Sequence, residues 1–267
     1  MQNVTEVERV PVKVHGGLTA GLAISLISVY LCASVASTAL RQGGDDSRYR
    51  ELREAMVRDQ IAAARGSGAP AVRDERVLEA MRSVPRHLFV PKEQMAFAYE
   101  DRPLPIGHRQ TISQPYIVAK MTELAQPKKE HVALEIGTGS GYQAAVLAKL
   151  VKKVCTIEIV EPLGREAGER LRALGFSNVT VRIGDGYAGW PEEAPFDIII
   201  VTAAPEKVPP ALIEELKPGG RMVLPMGPAR ETQILAVVTK GTNGPHDYSI
   251  ERIMPVAFVP MVPGKKN

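Results

Sequence analysis

Cysteine is scarce in this chain of 267 residues, with Cys32 and Cys155 the only two. A disulfide framework and a multi-cysteine zinc site are therefore both excluded. Cys32 lies in an apolar stretch and Cys155 in a strand-like run, where each reads as a small buried hydrophobe. Excess charge is missing too, since 33 lysines and arginines against 30 aspartates and glutamates leave +3. No clustered basic run appears, so no nucleic-acid partner is expected. Nor is there an internal repeat of about 20 to 50 residues, the signature of solenoids and propellers. The hydrophobic and charged fractions, 45% and 24%, are ordinary. They exclude wholesale disorder, collagen and a multi-span membrane protein.

The first part of the chain stands apart. Leu18 to Leu40 carries no charged residue, about the twenty apolar positions a helix needs to cross a bilayer. Three readings stay open: a signal peptide, an uncleaved anchor, or an extension with no role in the fold. Arg41, Arg48, Arg50 and Arg53 follow the stretch. If it spans, they favour a cytoplasmic C-terminal part. Gln42 to Ser47 reads as a linker, so residues 1–47 are expected to form an extension and 48–267 the functional domain.

Beyond the linker, Arg48 to Arg65 and Asp74 to Arg82 have helical apolar spacing, whereas Tyr99 to Pro115 reads as a loop. From His131 short apolar runs alternate with amphipathic stretches: HVALEI, then YQAAVLAKLV, VCTIEIV, Pro162 to Leu174 closed by Gly175, VTVRI, FDIIIVTA, LIEELKPGG and RMVLPM. That alternation predicts a doubly wound, Rossmann-like α/β sandwich with a mostly parallel sheet. TQILAVVTK and Ile250 to Phe258 are expected to add antiparallel edge strands.

The run Leu134-Glu-Ile-Gly-Thr-Gly-Ser-Gly141 sits between a strand and a helix. Its alternating glycines allow a tight turn and close approach of a ligand. The spacing is G-x-G-x-G, not the G-x-G-x-x-G of a pyrophosphate turn, which disfavours a nicotinamide cofactor. Glu135, just before Gly137 and Gly139, is poorly placed for a phosphate and suited to a cation. Glu158 ends the next strand about twenty residues on, where a carboxylate accepts from ribose hydroxyls. Asp185-Gly186 follows the third strand, where a carboxylate meets an adenine amino group. A structural turn with helix-capping carboxylates is the plain alternative. All three acidic positions in order point instead to a positively charged nucleoside without phosphate, S-adenosyl-L-methionine.

Thr111-Ile-Ser-Gln-Pro-Tyr-Ile-Val-Ala119, LEIGTGSGYQAAVLA, TIEI, the run from LGFSNVTVRIGDGYAGWPEE to IIIVTAA, and LKPGGRMVLPMG closely resemble protein-L-isoaspartate O-methyltransferases from about Arg50 to about Lys240. The resemblance implies methyl transfer from S-adenosylmethionine to the α-carboxyl of L-isoaspartyl residues. The substrates implied are damaged or unfolded proteins and peptides, and the enzyme a cytoplasmic monomer without a metal. It implies that Ser113 binds and orients the substrate carboxylate, with Thr111, Ile112 and Gln114 around it. His108 is counted as a further substrate contact, its alternative being a plain surface side chain. Where Arg109 stands, the family pattern would have a second glycine. On the cofactor side the resemblance implies Glu135, Gly137, Gly139, Glu158, Asp185 and Gly186, with Thr232 and Gln233 in a segment closing over the site. Transfer to another acceptor and a non-catalytic binding module are the competing functions.

Overall fold

The computed structural model describes residues 47–63, 70–228, 231–244 and 247–264. The chain divides into two units, Met1–Arg48 and Tyr49–Asn267. The apolar stretch Leu18 to Leu40 lies outside the described residues, so its three readings stand as they were. Among the described residues, no helix is long and apolar enough to cross a membrane.

The described chain opens with a helix at 47–55 (α1) that widens into a π-turn at Met56–Ile61, then α2 at Glu75–Ser83. Asp74 caps α2 by accepting from the Arg76 amide at 3.0 Å. Two 3-10 turns, Arg86–Phe89 and Lys92–Phe97, lead to a small hairpin of β1 (Leu104–Gly107) and β2 (Gln110–Ile112). The segment expected to be a loop thus holds a hairpin, and its last residue begins α3 (Pro115–Ala125). Proline fits there because the first helical N–H has no partner to lose.

The hairpin turn is two residues long, and both His108 (φ 50°) and Arg109 (φ 59°) are left-handed. A two-residue turn matching strand twist demands that conformation, which is why asparagine and glycine usually occupy it. Arg109 is held there against its Cβ. Arg109→Gly should therefore stabilise the protein by about 1 kcal/mol, read as a higher thermal midpoint. An unchanged or lowered midpoint would contradict the strain.

The main sheet is built from β3 (Val132–Ile136), β4 (Lys153–Glu158), β5 (Val179–Ile183), β6 (Phe196–Val201), β7 (Leu216–Met226), β8 (Gln233–Lys240) and β9 (Tyr248–Val256). Its order is β5-β4-β3-β6-β7-β8-β9. The first five strands pair in parallel, and β8 and β9 add antiparallel pairs at one edge, as expected. Helices α4 (Tyr142–Ala148) and α5 (Glu161–Ala173) follow β3 and β4. Gly175, at φ 81°, ends α5, and the Phe176 amide donates back to the Leu171 carbonyl at 3.0 Å.

Alternate strand residues feed two cores. Ala133, Val154, Ile198 and Ile200 face one, with Met81, Tyr116, Val146 and Leu171 from α2 to α5. Leu134, Ile136, Cys155, Ile157 and Ile199 face the other, with Leu212 and Ile213 of α6 (Pro210–Glu215), Trp190 and Met261. The two faces are unequally covered, because one short helix and irregular chain do on the second what four helices do on the first. The expected helix through LIEELKPGG is shorter than its pattern, with α6 ending at Glu215 and β7 beginning at Leu216. Pro218 cannot prolong a helix, and Gly219 takes φ 76°. Cys155 is fully buried in β4, where desolvation pushes its thiol up to about 11.

β3 is the pivot. The chain moves outward from it through β4 to β5, then crosses back to pair β6 on its other side. That reversal opens a crevice beyond the carboxyl ends of β3, β4 and β6.

Candidate active site

The crevice is formed where β3 runs into the glycine turn. Gly137 takes φ 93°, and a Cβ there would collide with the Thr202 hydroxyl oxygen at the end of β6. That hydroxyl is fixed, lying 3.0 Å from the Ile136 carbonyl and 2.7 Å from the Gly137 carbonyl. Gly139 takes φ 52° and points its amide at Glu158, 2.7 Å from Oε2. The Val160 amide donates to the other oxygen of Glu158 at 2.9 Å. Two backbone donors thus clamp the carboxylate, leaving each oxygen with accepting capacity.

Glu135 is fully buried at the same strand ends. Its Oε2 accepts from the Thr156 hydroxyl at 2.5 Å, and Thr156 is in turn 2.7 Å from the Thr138 hydroxyl. Its Oε1 has no hydrogen-bond partner. Desolvation pushes the Glu135 carboxyl up to about 8; the Thr156 bond opposes the rise, the neighbouring Glu158 charge adds to it, and the Ala144 amide, too far or too poorly aligned for a full hydrogen bond, opposes it weakly. A buried acceptor left open beside a cavity is unusual in a folded chain and marks a place for a donor.

The cavity between these groups is lined by Glu135, Gly137, Gly139, Glu158, Gly186, Thr111, Ile112 and Ser113 among the sequence-predicted residues. A Cβ on Gly186 would collide with the Ile136 side chain, so only glycine lets the wall come this close. Asp185 is not part of the lining. Its Oδ1 accepts from the Tyr187 amide at 2.8 Å and its Oδ2 from the Gly264 amide at 2.7 Å. It anchors the backbone of its own turn and that of Gly264.

A second cavity of about 680 Å³ adjoins the first and shares Thr111, Ser113, Thr202 and Val259 with it. Gln114 lines this second space, its amide held by Asp101 Oδ2 at 2.8 Å, while Asp101 Oδ1 takes the Tyr116 amide at 2.9 Å. Ser113 is half-buried between the two cavities, just after β2. His108 is exposed at the tip of the hairpin and lines neither space.

Thr232 and Gln233 are not in the lining either. Thr232 is exposed, and Gln233 is buried with its Oε1 taking the Phe258 amide at 2.8 Å. The segment lying over the first cavity is Val259 to Val262. It is pinned by the Ala204 amide to the Val259 carbonyl and the Met261 amide to the Ala204 carbonyl, both at 2.8 Å. Sequence reasoning missed this strap, because FVPMV is a short apolar run with no periodicity and no polar group to mark it. It also missed Thr202, Ile157 and Ile159, whose only signal was position at the carboxyl end of a strand. Among the described residues, no group of three or more histidines, cysteines or acids could hold a metal.

A family model for protein-L-isoaspartate(D-aspartate) O-methyltransferase matches residues 60–266. Protein-L-isoaspartate O-methyltransferase 1 of Nitrosospira multiformis is 57% identical over 215 residues, 80% of this chain and 89% of its own. The protein-L-isoaspartate O-methyltransferase of Opitutus terrae is 51% identical over 237 residues, 89% and 96% of the two chains. Among solved structures, a protein-L-isoaspartate O-methyltransferase superposes with a TM-score of 0.65 at 29% identity, covering 71% of this chain and 61% of that one. A putative one from Plasmodium falciparum, in complex with S-adenosyl-L-homocysteine, gives 0.64 at 24% identity over 80% of this chain and 98% of that one. The second likeness is one of fold.

Proposed function

The chain belongs to the protein-L-isoaspartate O-methyltransferase family, and on that premise we propose how its two cavities divide the work. The reaction joins a methyl group from S-adenosylmethionine to a carboxylate of an isoaspartyl residue in a protein substrate. The observation that carries the assignment is the position of Ser113, which borders both the cavity holding Glu135 and Glu158 and the adjoining one of about 680 Å³. A methyl donor on one side and a peptide on the other meet at that serine.

The first cavity fits the donor. Glu158, already clamped by two amides, has acceptor capacity left for a pair of ribose hydroxyls. Glu135 offers an open buried oxygen to the cationic end. Gly137 and Gly186 keep the walls thin enough for close approach. When bound, the cofactor supplies an electrophilic methyl group on a sulfonium.

The residues of this chain then have little proton chemistry to perform. A carboxylate with a pKa near 4 is already ionised at pH 7, so no strong general base is needed. Ser113 donates to the substrate carboxylate and holds it in line. Thr111 shapes the boundary between the cavities, Ile112 the wall of the first, and the Val259 to Val262 strap keeps water out. Alignment and desolvation are the sources of rate here. For location, the reading is a cytoplasmic catalytic domain, because S-adenosylmethionine is made there. Residues 18–40 are its tether if they span a membrane.

Proton linkage tests the donor cavity. With a folded pKa of about 8, above its ordinary 4.5, Glu135 keeps a proton in the unliganded protein that the unfolded chain has lost. Stability of the unliganded enzyme should therefore fall as pH rises through that window. A cation beside Glu135 favours the ionised form, so binding of S-adenosylmethionine at pH 7 should release protons. Calorimetry in buffers of different ionisation enthalpy reads this directly. Buffer-dependent heats that vanish in Glu135→Gln are expected, and buffer-independent heats in the wild type would contradict the assignment.

A further inference from the structure

Among the described residues Arg86 is the most deeply buried cation, with no exposed surface. Its Nε donates to the Ala98 carbonyl and its Nη2 to the Ser113 carbonyl, both at 2.8 Å. The guanidinium carbon lies 4.8 Å from the centre of the Tyr142 ring, at the start of α4. Its Nη1 has no hydrogen-bond partner. The groups that act on it are Tyr142, through its charge distribution and its hydroxyl, and Tyr99, and no carboxylate among the described residues pairs with it. Desolvation lowers its pKa to about 10, which leaves it charged at pH 7.

A buried cation without a counter-ion is strongly unfavourable, and a hydrophobe of similar volume would pack the same space better. A backbone prop for the loop does not need a charge either. The anion that comes to this place is the substrate, because Arg86 is bonded to the residue placed where the carboxylate is held. A guanidinium in a low-dielectric surround projects its field through the carbonyl it polarises, with little water to screen it.

We propose that Arg86 is a positioning residue for methyl transfer, fixing the backbone of Ser113 and supplying the unbalanced positive charge that draws the substrate carboxylate to it. This deepens the isoaspartyl reading and rests on it. Arg86 touches neither cavity, so its action runs through Ser113. The charge selects an ionised acceptor over a neutral one of the same shape.

The test uses the whole enzyme with S-adenosylhomocysteine bound and two peptides. One carries an isoaspartyl residue with its free α-carboxylate, and the other its α-carboxamide. Wild type should bind the carboxylate peptide more tightly. Arg86→Gln should weaken that peptide roughly 10- to 100-fold, the span for losing a charged partner. It should leave the carboxamide peptide and S-adenosylhomocysteine within about twofold of wild type. Arg86→Lys, which keeps the charge but not both hydrogen bonds, should retain the preference for carboxylate while kcat falls. Equal weakening of both peptides in Arg86→Gln, or lost preference in Arg86→Lys, would overturn the proposal in favour of a plain scaffold. A wild type that binds both peptides equally overturns it as well. Failure of wild type to bind either peptide would instead count against the isoaspartyl reading itself.

Discussion

Glu158→Ala weakens binding of S-adenosylmethionine by roughly 10- to 100-fold in the expected result, the loss of about 1.5–3 kcal/mol for hydrogen bonds to a charged acceptor. The substitution strikes twice. It removes the acceptor for the ribose hydroxyls, and it leaves the Gly139 and Val160 amides without the carboxylate that now clamps them. Freed of that clamp, Gly139 loses a bond that holds it at the cavity wall, while Gly137 keeps its bonds to Ile157 and Thr202. A second effect follows from charge. Glu158 is one of the influences holding the Glu135 carboxyl high, after desolvation, so its removal should shift proton release on binding towards lower pH. Titration of S-adenosylmethionine across pH reads both effects at once. An unchanged dissociation constant would remove Glu158 from the cofactor site.

Ser113→Ala acts on the other side of the same junction. It should lower kcat/KM for an isoaspartyl peptide by roughly 100-fold, the scale on which a misaligned reacting group loses rate. Cofactor affinity should stay within about twofold, since the clamp on Glu158 and the open oxygen of Glu135 are untouched. The fold should be equally indifferent, because Arg86 holds this loop through the Ser113 carbonyl and not its hydroxyl. Single-turnover rates beside cofactor titration separate these readouts. A fall in cofactor affinity that matches the fall in rate would contradict an orienting role.

Much of this architecture is legible in the sequence, and for a physical reason. Strands buried on both faces need continuous apolar runs, and VALEI, VCTIE and FDIIIV are such runs between helical spacings. Once the parallel order was expected, the carboxyl ends of β3 and β4 had to converge, which brought Glu135 and Glu158 together. Gly186 was recoverable for the same reason.

What escaped depended on features that periodicity does not carry. The strap at Val259 to Val262 is held by backbone hydrogen bonds to Ala204, and any apolar side chains would serve, so the sequence shows no mark of it. Asp185 also ends a strand and takes a backbone amide on each oxygen, as Glu158 does, but it stands outside the lining of the cavity. One of those amides comes from Gly264, far along the chain, a contact that strand periodicity does not carry. The hairpin of β1 and β2 hid among prolines and glycines. Its left-handed Arg109 broke the usual turn chemistry that would have revealed it. Arg86 gave no signal, since a burial so complete depends on tertiary packing around a surface-type residue.

The central claim is that this enzyme transfers methyl groups to isoaspartyl carboxylates. The most direct measurement gives it labelled S-adenosylmethionine and two peptides identical except for an isoaspartyl or an ordinary aspartyl linkage. Base-labile label on the isoaspartyl peptide alone is the predicted result. Label on both peptides equally, or on neither while S-adenosylhomocysteine still binds, would contradict it.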